Sequence, residues 1–140
     1  MKFLGLLTII CIYAIGANAQ EINLDSIRGT WNYESPKVKT KSSFKFDFEN
    51  KFTSITERKE TETQINGAYA FDKVSDLNRL IITNSSKEDG TRTHTLYYFI
   101  KFIGTDTLKL QPVNDKETNW LNETKKNTMI FVRKKEKVKK

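Results

Sequence analysis

His94 is the chain's single histidine and lies between Thr93 and Thr95 at the head of an alternating run. A Ser-His-Asp relay or a multi-histidine metal site therefore has at most one centre to form around. The residue types at this position fit a hydrogen-bonding role at a rim better than catalysis. Asp47, Glu49 and Glu57 are the carboxylates spaced for acid and base work, yet Asp47 and Glu49 alternate with phenylalanines and belong on a solvated face. No Gly-x-Ser-x-Gly, phosphate-binding loop or dinucleotide fingerprint is present. Cys11, the only cysteine, falls in a segment expected to be removed, which leaves no disulfide, thiolate metal site or cysteine nucleophile. The expectation is a non-enzymatic protein without metal or cofactor, whose function is binding.

The elements that position side chains for binding are strands. Phe44, Phe46 and Phe48 alternate with Lys45, Asp47 and Glu49, giving one apolar and one charged face. Ile65, Gly67, Tyr69 and Phe71 share a face, as do His94, Leu96, Tyr98, Ile100 and Phe102, then Leu108 and Leu110, then Met129, Phe131 and Arg133. Adding 30–34, 52–57 and 77–83 gives roughly eight strands, the number at which an up-and-down barrel is either filled by side chains or holds one small ligand. The predicted fold is all-β, an eight-stranded up-and-down antiparallel barrel, with a sandwich of two sheets as the rival. Short connections between successive strands favour the barrel. Asn50, 72–76 and Gly104-Thr105-Asp106 read as tight turns at one end; 35–41, 58–62, 84–91 and 112–127 read as longer loops at the other. A closed base and an open rim would produce this asymmetry.

Ahead of the strands, Lys2, an apolar stretch from Phe3 to Ile15 and Ala17-Asn18-Ala19 read as a signal peptide over 1–19, so an exported protein, periplasmic or secreted, is expected to begin at Gln20. The barrel domain spans 20–135 and a basic tail spans 136–140. The net charge of +7 is uneven: Arg133 to Lys140 hold six basic residues and Glu136, while the body is nearly neutral. A solvated end is the favoured reading of that tail over attachment to anionic lipid, and a nucleic-acid partner is not expected.

Gly29-Thr30-Trp31, answered by Arg133 at the end of the last apolar run, resembles the lipocalins. In that family a Gly-x-Trp opens the first strand, and an arginine of the last strand lays its guanidinium on the indole to close the barrel. Gly67-Ala68-Tyr69, Tyr98-x-Ile100, Thr105-Asp106-Thr107-Leu108 and Phe131-Val132-Arg133 extend the similarity to small lipocalin-like (calycin-type) domains of exported bacterial proteins. The Asn84 and Asn122 glycosylation sequons are discounted on that account. The chain departs from the family in lacking a C-terminal helix and a disulfide, and Thr107 stands where an aromatic ring is usual.

The resemblance implies barrel closure by Trp31 and Arg133 and a small hydrophobic or amphipathic ligand or lipid inside the barrel. Phe44, Phe46, Tyr69, His94, Leu96, Tyr98, Leu110 and Met129 would line the site, with Trp120 in the longest loop as a lid. The alternative is a filled barrel acting as a protein-interaction or inhibitor module through its rim loops. Asn119-Trp120-Leu121 would then be an anchor for the protein partner. A monomer is expected in either case.

Overall fold

The computed structural model describes residues 22–35, 39–85 and 93–137. The expected leader and its cleavage point lie outside these residues, as do parts of two rim connections, 36–38 and 86–92, and the end of the tail, 138–140.

Asn23 accepts the Asp25 N–H at 2.9 Å and so caps a single helical turn, α1 (Leu24–Ile27). Eight strands follow: β1 (Gly29–Glu34), β2 (Thr40–Phe46), β3 (Lys51–Arg58), β4 (Thr61–Val74), β5 (Leu77–Ser85), β6 (Thr93–Ile103), β7 (Thr107–Val113) and β8 (Met129–Arg133). Each pairs antiparallel with the next and β8 returns to β1, closing an up-and-down barrel and excluding the two-sheet sandwich. Such a barrel is consistent with a calycin-like fold. Inward positions two apart on each strand build one core: Trp31, Phe46, Phe52, Tyr69, Leu80, Ile82, Ile100, Leu108, Leu110 and Phe131 are all buried.

One element, α1 before β1, carries no sequence signal, and two local expectations are corrected. Phe48 leaves the face of Phe44 and Phe46: Asp47 accepts its N–H at 2.9 Å, a 3-10 turn forms over Phe48–Asn50, and the ring is 64% exposed under the Arg28 guanidinium. The 58–62 connection is a tight hairpin rather than a long loop, since Arg58 pairs with Thr61 and Lys59 takes φ 57° without a glycine to announce it.

The weakest closure is between β1 and β8, whose ladder is Trp31↔Arg133 and Asn32↔Val132 with one further backbone bond from the Lys134 N–H to the Thr30 carbonyl at 2.8 Å, whereas β3 and β4 pair from Lys51↔Ala68 to Arg58↔Thr61. Side chains make up the difference. The Arg133 guanidinium lies 4.1 Å from the Trp31 ring centroid and donates to the carbonyls of Arg28 (2.5 Å), Ser26 (2.6 Å) and Thr105 (3.2 Å). Trp31 is fully buried and its Nε1 donates to the Ile27 carbonyl at 2.7 Å. Gly29 sits at φ 115°, and a Cβ there would stand 3.1 Å from Arg133 Nη1, so both backbone and space favour glycine. One cation thus joins β8 to α1 and to the β6–β7 turn.

Trp31→Ala should destabilise the barrel by about 3 to 5 kcal/mol, and Arg133→Ala by less. In urea denaturation the double variant should lose less than the sum of the two, because the residues share one contact. Full additivity would contradict the stack.

Candidate functional site

Aromatic rings pack the middle of the interior. Phe44 on β2 meets Phe52 at 5.1 Å, Phe131 at 4.7 Å and Tyr98 at 6.4 Å between ring centroids. Strands β2 and β6 stand on opposite sides of an eight-stranded barrel, so rings of Phe44 and Tyr98 in contact leave no free bore at that level. Phe46 packs on Phe52 and Tyr69 below them, and the Tyr69 hydroxyl donates to the Asp47 carbonyl at 3.1 Å. Burial raises the Tyr98 phenol above its ordinary pKa.

Of the residues expected to hold a ligand, Phe44, Phe46, Tyr69, Tyr98 and Leu110 belong to this packed interior, and Met129 lies half-buried against it. His94 and Leu96 are exposed near the mouth, Leu96 by 43%. The carboxylates Asp47 and Glu49 serve the β2–β3 turn. Hydrogen bonds from Lys45 and from the Phe48 N–H hold Asp47 below the usual carboxylate range, and Glu49 pairs with Lys51 at 2.6 Å.

Trp120 is not over the mouth, which corrects the lid expectation. The β7–β8 connection, 114–128, folds back as a strap along the outer face of β5, β6 and β7. Arg79, held by Asp72 through two hydrogen bonds, donates to the Asp115 carbonyl at 3.1 Å. Gln111 faces outward yet is fully buried: its Oε1 accepts the Leu121 N–H at 2.9 Å, and its Nε2 donates to the Leu121 carbonyl at 2.9 Å and to Thr128 Oγ1 at 3.0 Å. Lys101 Nζ lies 3.9 Å from the Trp120 ring centroid, and Lys109 pairs with Glu123 at 2.5 Å. The physical reason is Phe99, outward-facing on β6 and 0% exposed, which needs a cover outside the barrel. No spacing signal marks Gln111 or Phe99, because alternation assigns both to solvent.

Open volume lies at the base. A half-open groove of about 820 Å³ runs between α1, the β4–β5 turn and the β6–β7 turn. Its floor is Ile100 and Phe102, both inward-facing residues, with Ile22, Leu77 and Ile103 on its walls. Asp25, Asp76 and Asp106 stand at its lip with Arg133. Phe102 meets Trp31 edge-on at 6.1 Å, so the groove adjoins the closure. Sequence reasoning missed this site because its walls come from turns separated along the chain. Comparison of the chain with protein-family models, with curated proteins and with solved structures finds no match.

Gln111→Ala should cost about 1 to 3 kcal/mol, the penalty for leaving the Leu121 N–H and carbonyl without partners, as read by urea denaturation; a loss near zero would contradict the strap's anchoring. A second test is pH. Lys109 holds Glu123 below the usual carboxylate range, so its share of strap stability is complete at neutral pH and is lost as pH falls through the depressed pKa. The Trp120 indole NMR resonance should hold its position down to the ordinary carboxylate range and move only below it. Movement between pH 7 and 5 would argue against that ion pair.

Proposed function

We propose that this chain is an exported, non-enzymatic lipocalin-like protein that binds a small hydrophobic or amphipathic molecule, and that the molecule enters at the base of the barrel. The observation that carries the reading is the groove itself: an apolar floor reaching interior residues, a polar lip, and a volume in the range of small-molecule sites. The rings meeting across the barrel at Phe44 and Tyr98 argue against a ligand in the middle of the bore. Export rests on the signal-like start, Lys2, the apolar run Phe3 to Ile15 and Ala17-Asn18-Ala19.

The same packing at mid-height favours one second reading, an interaction or inhibitor module that works through its rim loops. Titration with the neutral apolar dye N-phenyl-1-naphthylamine separates the two. On the proposed reading the dye binds saturably to the folded protein. Thr105→Trp, which places an indole in the groove, weakens binding at least tenfold, while Leu96→Trp at the mouth leaves it unchanged. The opposite pattern would place the site in the mouth, and no saturable binding would favour the rim module.

A further inference from the structure

We infer that the base groove selects amphiphiles carrying a positively charged amine on an apolar chain; this rests on the groove reading above and adds the charge of the ligand. The argument comes from which lip charges are already committed. Arg133 is one of two cations on the lining, and its guanidinium nitrogens donate to the carbonyls of Ser26, Arg28 and Thr105 while its face covers Trp31. Lys101 is the other, and its ammonium lies over the Trp120 ring on the outer face of the barrel. The Arg133 guanidinium is committed to these carbonyls, and the Lys101 ammonium is drawn to the outer face rather than to the apolar floor.

The carboxylates are less committed. Asp76, at the β4–β5 turn, makes no ion pair or hydrogen bond among the described residues. Asp106, at the β6–β7 turn, approaches Arg133 Nε only at 3.6 Å, and its side chain is about half exposed. Asp25 pairs with Arg28 outside the floor. An alkyl chain on Ile100, Phe102 and Leu77 would therefore carry its head toward an acidic lip. A carboxylate head would meet repulsion there, an ammonium attraction, and a hydroxyl neither. Because the lip is solvated, the expected discrimination is modest.

Octylammonium, octan-1-ol and octanoate share one chain and differ in head charge, and Trp31, in edge contact with Phe102, supplies the fluorescence signal. At neutral pH and low salt, octylammonium should bind about threefold to tenfold more tightly than octanol, with octanoate weakest. Asp76→Asn, an exposed turn substitution, should lower the octylammonium-to-octanol affinity ratio, measured within the variant, to near one. The inference is overturned if octanol matches octylammonium in the unsubstituted protein, if octanoate binds most tightly, or if Asp76→Asn keeps the full preference. If none of the three binds, the groove reading itself falls and the charge preference falls with it.

Discussion

An eight-stranded barrel is held at its seam, and here the seam is short, since the β1–β8 ladder has two paired positions and one further backbone bond. The guanidinium of Arg133 extends that closure at right angles to the ladder. It ties the last strand to the carbonyls of Ser26 and Arg28 before the first strand, and to Thr105 in a neighbouring turn. Trp31 supplies the flat surface on which the cation rests, and Ile27 accepts the indole N–H beneath it. Charge-assisted donation to three carbonyls is stronger than neutral hydrogen bonding, and the indole shields it from water. Gly29 leaves room for the arrangement. Removing this cation would loosen α1, the β6–β7 turn and the seam together.

The same closure shapes the groove. Arg133 draws α1 and the β6–β7 turn onto one side of the base, and the space left toward the β4–β5 turn becomes an apolar recess with an acidic lip. Aromatic packing decides the rest of the interior, because Phe44, Phe131, Phe52 and Tyr98 meet across the barrel. A barrel of this size has little volume to divide, and these four contacting rings take up its middle. Apolar surface that does not fit inside is covered on the outside: Phe99 lies beneath the strap, and the Gln111 amide pairs with Leu121 as a strand would.

Period-two alternation made the barrel legible, because Phe44 and Phe46, Tyr69 and Phe71, or Leu96 and Tyr98 have no other geometry that puts them on one side. It failed where a side chain diverts the backbone. Asp47 captures the Phe48 N–H and turns that ring into solvent. Lys59 adopts a left-handed conformation that composition does not reveal. The one-turn helix is too short to show a helical period. Trp120 illustrates a further limit: its place in a long polar loop was readable, while the direction of that loop depended on Phe99 and Gln111, whose burial outside the barrel alternation does not encode. The groove walls, drawn from residues near positions 22, 77 and 105, come together only through the closed topology.

The central claim is that aromatic rings close the bore at mid-height and that, among the described residues, a ligand-sized recess lies at the base. The most direct measurement is a backbone amide NMR titration of the folded protein with N-phenyl-1-naphthylamine. The account predicts saturable shifts confined to residues around α1, the β4–β5 turn at 76–78 and the β6–β7 turn at 103–106. Shifts centred instead on His94, Leu96 and Ile65 at the mouth, with the base unmoved, would contradict it.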